Sequence, residues 1–342
     1  MLRRWFGDLH GRARTGVAQS VIVALDRSRS HTLGEELSSI KQVSLAFALF
    51  ASVVGIGRSQ AAEFIDFGEG SPPPKVFIPS HHAEPSAPLI VVLHACVESA
   101  DIIAKKTGFN EIAEKNGLYI LYPNQQHGSN GFNCWNWFLS SNERGDSGEA
   151  AMVKAQLDKA KATYPIDPKR IYLVGWADGF GPILASCFPN EFAAAAFHSA
   201  LPYGLASSIG GALSLMRNGP TPPDEPRRES ACNPADFHGG LFVLHGKADQ
   251  HIYPVNAARI ISDFVAPNAT KAPAKVVPPQ GTKLGYEEYD WSVGGKLAAR
   301  EVLVDGLNLA WSGGTPNMDY SDPLGPNAAE MFWSFFTKFS RQ

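Results

Sequence analysis

The apolar run Ile171-Tyr172-Leu173-Val174 leads directly into Gly175-Trp176-Ala177-Asp178-Gly179, and that junction restricts the fold more than any other feature of the chain. A buried strand ending in Gly-x-small-x-Gly has to turn sharply into a helix; the glycines leave room for the turn, and the central residue projects at the helix head. In acyl-transfer enzymes that use this turn the central residue is a nucleophilic serine. Here it is Ala177, and a methyl group cannot attack a carbonyl. The segment reads as a nucleophile elbow without its nucleophile.

Strands and helices alternate around the elbow. Apolar runs predict strands over 88–93, 118–122, 170–174, 193–197, 240–244 and 298–304, several of them continuous, as a sheet covered on both faces requires. Helices are expected over 108–116, 148–164, 178–188, 255–265 and 326–338, the last after Gly325-Pro326, with proline suited to a first turn. Such alternation implies an α/β fold with a mostly parallel central sheet, right-handed crossovers and helices on both faces. Residues 205–232, with Pro220, Pro222, Pro223 and Pro226, read as an excursion over the carboxyl edge of that sheet.

Further segments accompany the elbow in order along the chain: Pro88-Leu89-Ile90-Val91-Val92-Leu93-His94-Ala95-Cys96, Leu121-Tyr122-Pro123, Cys134-Trp135-Asn136-Trp137-Phe138, Arg144-Gly145-Asp146-Ser147-Gly148-Glu149, His198-Ser199-Ala200-Leu201-Pro202-Tyr203-Gly204, His245-Gly246-Lys247-Ala248-Asp249 and Ala310-Trp311-Ser312-Gly313-Gly314. Over roughly residues 70 to 340 this set resembles the polyhydroxybutyrate-depolymerase-type esterases of the α/β-hydrolase superfamily. The Cys-Trp-Asn-Trp-Phe run is its most specific part, because it joins rare residue types.

The resemblance implies an α/β-hydrolase fold and a Ser-His-Asp apparatus for carboxylic esters. Asp249 matches the triad acid, whose work is to orient a histidine. Ala177 stands at the serine. Leu309, in Gly306-Leu307-Asn308-Leu309-Ala310-Trp311, stands where the family carries its histidine. The backbone N–H groups of Cys96 and Asp178 would form the oxyanion hole. Ala95 in place of glycine, and Phe180 in place of a small residue, are expected to crowd it. Leucine has no proton to shuttle, so serine restored alone would keep an unactivated hydroxyl. A serine removed by design would leave the histidine in place, so the double loss reads as relaxed constraint on catalysis in a natural sequence. The resemblance also sets the excursion near the substrate mouth; a plain solvated loop is the alternative.

Trp135, Trp137 and Trp311, with Trp176, fall in or beside these segments and are expected to line an apolar cleft suited to a polyester or aryl ester chain; each taken singly reads equally as core. Trp311, beside the lost histidine position, is the first candidate for a retained ligand contact. Asp178 reads as a carboxylate favouring the positive end of the following helix rather than as a nucleophile. His94, His198, His245 and His251 are available for a rebuilt site, but His94 and His245 end apolar strands, where structural histidines are the commoner finding. The cysteines form no C-x-x-C pair and no His-x-x-x-His run exists, so neither a metal nor a cofactor is implied. A net charge of -3 with no basic cluster in the body of the chain argues against nucleic acid.

After Lys41, the run from Val43 to Gly57 is long enough for a signal h-region and short for a membrane span, and Ser59-Gln60-Ala61 offers small residues for cleavage. Residues 1–61 therefore read as leader and signal peptide, with a misassigned start explaining the long polar leader, and 62–342 as one domain, secreted or periplasmic. An uncleaved membrane anchor or a buried helix is the alternative. Export permits bridges among Cys96, Cys134, Cys187 and Cys232, which allow three pairings; the resemblance implies Cys96–Cys134 and with it Cys187–Cys232. The chain ends shortly after its last expected helix, which points to soluble oligomers or monomeric esters rather than solid polymer. Three functions stand: a secreted pseudo-esterase binding an ester or hydroxyalkanoate oligomer, an active ester hydrolase using displaced residues, and an interaction protein with a closed pocket and a protein partner.

Overall fold

The computed structural model describes residues 61–82, 85–222, 225–228 and 232–342; the leader and signal-peptide reading lies, but for residue 61, outside them. In chain order the strands are Glu63–Asp66 (β1), Lys75–Ile78 (β2), Ala87–Leu93 (β3), Tyr119–Tyr122 (β4), Ile166–Trp176 (β5), Ala194–His198 (β6), Gly240–Gly246 (β7), Thr270–Lys271 (β8), Lys275–Val277 (β9), Tyr286–Val293 (β10), Lys296–Val304 (β11), Trp311–Ser312 (β12) and Ser321–Asp322 (β13). The helices are Ala100–Thr107 (α1), Phe109–Asn116 (α2), Gly148–Thr163 (α3), Phe180–Cys187 (α4), Ile209–Asn218 (α5), Val255–Phe264 (α6) and Ala328–Phe336 (α7).

A parallel core in the order β4-β3-β5-β6-β7-β11 is extended by antiparallel strands at both ends, β2 and β1 beyond β4, and β10 with β8 and β9 beyond β11. Side chains of β3 alternate between the two faces. Leu89, Val91 and Leu93 pack with Leu157 of α3, Ile183 of α4 and Ile260 of α6. Ile90 and Val92 pack with Ile103 of α1, Ile112 of α2 and Phe332 of α7. Helices thus cover both faces, and all seven residues of β3 are buried, which is why the strand reads as an unbroken apolar run.

The edges escaped sequence reading. Strand β10 mixes charges and aromatics, Tyr286-Glu287-Glu288-Tyr289-Asp290-Trp291, and is mostly half-buried, so it carries no continuous apolar signal. Helix α5 lies inside the proline-rich excursion; it starts because Ser208 Oγ accepts from Gly211 N–H at 3.1 Å, satisfying one donor of the first turn. Helix α1 starts likewise at Ser99, whose Oγ accepts from Ile102 N–H, and stops at left-handed Gly108.

Both disulfides form as the resemblance implies. Cys96–Cys134 ties the loop after β3 to the Cys-Trp-Asn-Trp-Phe segment. Cys187–Cys232 ties the end of α4 to the end of the excursion across a separation of 45 residues. Replacing Cys187 and Cys232 together by alanine is expected to lower stability by about 2–4 kcal/mol, the loss for a cross-link closing a loop of this size, as measured by urea unfolding under non-reducing conditions.

Candidate functional site

The site begins where β5 becomes α4. Ala177 has φ +50°, a left-handed conformation that costs an L-residue about 1–2 kcal/mol. Its N–H donates to His198 O at 2.9 Å, and Leu201 N–H donates to Asp178 O at 2.8 Å, so β6 and the loop after it hold the turn. A Cβ on Gly175 would stand 3.2 Å from Gly181 Cα, and one on Gly179 would stand 2.6 Å from the Trp137 indole. The glycines are there because strand, helix and indole approach too closely for a side chain. Helix α4 starts at Phe180, two residues later than expected, because the left-handed turn occupies that length.

Phe180 does not crowd the turn. It is fully buried and its ring stacks on Trp135 at 4.8 Å with 7° between planes. The carboxyl of Asp178 caps α4 through Oδ1, which accepts from Gly181 N–H at 3.2 Å. Burial pushes that carboxyl up to about 8, so the charge expected at the helix head is absent at neutral pH while the capping geometry remains.

Asp249 lies in the loop after β7, three residues past Gly246, and is buried. Its Oδ1 accepts from His251 N–H and Ile252 N–H, both at 2.9 Å. Its Oδ2 has no hydrogen-bond partner among the described residues; His245 Nε2, at 3.5 Å, donates instead to Ile252 O at 2.7 Å. The segment carrying Leu309 is stitched to this loop, since Ala248 N–H donates to Leu307 O at 3.0 Å and Gln250 N–H donates to Asn308 Oδ1 at 3.3 Å. Leu309 and Ala177 are both half-buried and both pack against the cores on the two faces of the sheet. The half-satisfied acid therefore lies within the loop set that carries leucine at the expected base position.

At the end of β6 a histidine stands within reach of a hydroxyl. His198 Nδ1 is 3.2 Å from Ser199 Oγ, and both residues are fully buried. Nε2 of the same ring accepts from Ser312 N–H at 3.1 Å, and burial, reinforced by His245, holds the ring well below the usual histidine range. A neutral ring whose Nε2 accepts must carry its proton on Nδ1, so His198 donates to Ser199 and cannot deprotonate it. His94 is saturated in the same way: Nε2 accepts from Gln125 N–H at 3.1 Å and Nδ1 donates to Ala95 O at 2.7 Å.

A buried ion pair escaped sequence reading. Lys106 Nζ bonds Glu98 Oε1 with both side chains almost wholly enclosed. Ala95 N–H donates to Glu98 Oε2 at 3.3 Å, Trp176 Nε1 to Glu98 Oε1 at 3.4 Å, and Asn133 Nδ2 to Glu98 O at 2.6 Å. One glutamate thereby fastens the loop carrying Cys96 to the end of β5 and to the disulfide segment. Its spacing to Lys106 spans a turn and most of α1, and nothing along the chain marks the two as partners.

The tryptophans correct the expectation of an indole-lined cleft. Trp135, Trp137 and Trp311 are 1%, 5% and 0% exposed. Trp135 lies between Phe180 and His94 and donates to His94 O at 3.0 Å. Trp137 fills the space over Gly179. Trp311 stacks on His198 at 5.0 Å and meets Trp176 edge-on at 5.7 Å. Their apolar area went into backing the loops rather than facing a ligand. Among the described residues no group of three or more His, Cys, Asp or Glu could hold a metal ion, and no helix is long and apolar enough to cross a membrane.

Asp178 gives the stability a pH signature. The folded carboxyl titrates at about 8, whereas an unfolded one does so near ~3.9. Between these limits the folded chain holds a proton that the unfolded chain lacks. This contribution to stability is therefore present below pH ~4 and lost as pH rises through about 8. The parent should lose more stability between pH 5 and pH 8 than Asp178→Asn, measured by urea unfolding of both; parallel pH profiles would refute it.

A sequence model of the Esterase PHB depolymerase family matches residues 74–274. Poly(3-hydroxyalkanoate) depolymerase C of Paucimonas lemoignei is 30% identical over 185 residues, covering 52% of this chain and 44% of that protein. Feruloyl esterase B of Thermothelomyces thermophilus is 29% identical over 182 residues, covering 51% and 60%. The chain spans about half the length of the curated relatives it matches. Among solved structures, an acetyl xylan esterase from Aspergillus awamori aligns over 81% of this chain and 99% of its own at a TM-score of 0.57 and 15% identity, a likeness of fold. With that α/β-hydrolase architecture, and with the family's sequence pattern running from β2 past β8, this chain belongs to the Esterase PHB depolymerase family.

Proposed function

We propose that the chain is a catalytically impaired pseudo-esterase whose cleft takes up an ester or hydroxyalkanoate oligomer without cleaving it. The observation that carries this reading is the elbow itself, held left-handed at Ala177 with no nucleophile on it, while His198, whose backbone carbonyl holds the Ala177 N–H, has both ring nitrogens engaged. Val97, Asn133, Ser199 and Tyr320 are left-handed as well, and each belongs to, or is bonded to, the loops around Ala177. Such strain persists only where the surroundings over-determine it, and it collects at binding and catalytic sites. A closed interaction surface would have no use for it. The reversed polarity of the His198–Ser199 contact weighs against an active enzyme with displaced residues.

The same reading takes Ala177 and Leu309 as the substituted nucleophile and base positions, Asp249 as the remaining acid, and the Cys96 and Asp178 N–H groups as the donors facing a ligand carbonyl. Residues 205–232 serve as a lid, and 1–61 as an export signal ahead of a single domain. Two disulfides fit an oxidising compartment.

The test is hydrolysis of short-chain p-nitrophenyl esters and hydroxybutyrate oligomers by the parent and by an Ala177→Ser/Leu309→His variant. The parent should be inactive and the variant at least about 100-fold faster, the scale of a restored general base. Two inactive proteins would turn attention to a protein partner. Turnover by the parent would overturn the proposal.

A further inference from the structure

Cys96 and Asp178 both lie outside helices and strands, and among the described residues neither backbone N–H donates to a protein acceptor. Each sits beside a group bonded to the same buried carboxylate. Ala95, the residue before Cys96, donates its N–H to Glu98 Oε2 at 3.3 Å. Trp176, two residues before Asp178, donates from Nε1 to Glu98 Oε1 at 3.4 Å. The loop after β3 and the end of β5 are therefore held on different oxygens of one side chain. The segment ending in Cys134 joins them, since Asn133 Nδ2 donates to Glu98 O at 2.6 Å and Val97 N–H donates to Phe132 O at 2.7 Å. The Lys106 ammonium pairs with Oε1 and stands 5.9 Å from the centre of the Trp176 ring and 5.7 Å from that of Tyr320. Lys106 O accepts from Thr315 N–H at 3.0 Å, which attaches the loop after β12 to the same point.

We propose that Glu98 is a positioning residue of the cleft: it fixes the loop after β3 against the elbow so that the Cys96 and Asp178 N–H groups converge on one ligand oxygen, with Lys106 supplying the counter-charge. The proposal rests on the pseudo-esterase reading, since it requires a cleft that still admits an ester. A carboxylate suits this task because both of its oxygens accept. An amide at position 98 has one oxygen to offer and an NH2 group that cannot accept, so one of the two loops would lose its hold. A pair kept for stability alone has little reason to be here, because uncharged groups of similar volume in place of a buried ion pair are often neutral or stabilising.

The experiment titrates the methyl ester of a 3-hydroxybutyrate trimer into the full chain and into Lys106→Met and Glu98→Gln/Lys106→Met, by calorimetry, with the melting temperature of each protein and the proton–nitrogen resonances of the Cys96 and Asp178 amides. Lys106→Met leaves a buried carboxylate unpaired and should melt clearly lower, yet it keeps both Glu98 oxygens and should bind within about threefold of the parent. The double variant carries no unpaired charge and should melt closer to the parent than Lys106→Met, but bind at least about tenfold more weakly, the scale of one hydrogen bond lost from the ligand carbonyl. Its Cys96 and Asp178 amide resonances should move as well. If Lys106→Met does not fold, the double variant and the parent decide the matter alone. A double variant that binds within about threefold of the parent, on that same scale, overturns the role of Glu98 and leaves the pseudo-esterase reading standing. Affinity that simply follows melting temperature across the proteins, or a double variant that does not fold, makes the pair a structural staple and also overturns it. A parent that binds no ester overturns both readings.

Discussion

The closeness of β5 to α4 is the constraint on which the rest of the site depends. Gly175 and Gly181 let the strand and helix backbones meet, and Gly179 lets the Trp137 indole lie against the turn. From that contact the order spreads outward. Phe180, leaving the turn, stacks beneath Trp135; Trp135 bonds the backbone at His94; and His94 stands two residues before the disulfide at Cys96. A side chain at Gly179 would therefore disturb the loop after β3 as well as the elbow, through aromatic packing in which a shift of one ring has to be taken up by the next.

The molecule carries several unfavourable terms close together. A buried ion pair is weak evidence for stability, because desolvation offsets much of the attraction, yet Glu98 and Lys106 are both enclosed and three further donors converge on the glutamate. Asp249 leaves one buried oxygen without a hydrogen-bond partner among the described residues, which costs about 1–3 kcal/mol in mutational data. With the left-handed residues, these features describe a region shaped at the expense of stability. The parallel strands beneath, buried on both faces, are what makes that affordable.

Legibility in the sequence followed burial. Strand β3, β5 from Ile171 onward, β6 and β7 announce themselves because both faces are covered, so nearly every residue is apolar or small; β1 and β10 are more open and read as ordinary mixed sequence. At the site, the elbow was visible because close backbone approach writes glycine at fixed spacing. The Glu98–Lys106 pair and Tyr320 were invisible: their partners are set by three-dimensional placement. The tryptophans were assigned to the right neighbourhood with the wrong orientation, since composition reveals that an indole is near a site but not which way it faces.

The edge-to-face contact of Trp176 with Trp311 has a practical consequence. These two indoles lie in a water-excluded setting directly behind Ala177, one bonded to Glu98 and the other with its N–H unpartnered among the described residues. Their surroundings differ in polarity although they touch, so their excited states report on the same few ångströms of protein in two different ways. The pair is an intrinsic optical gauge of the packing behind Ala177.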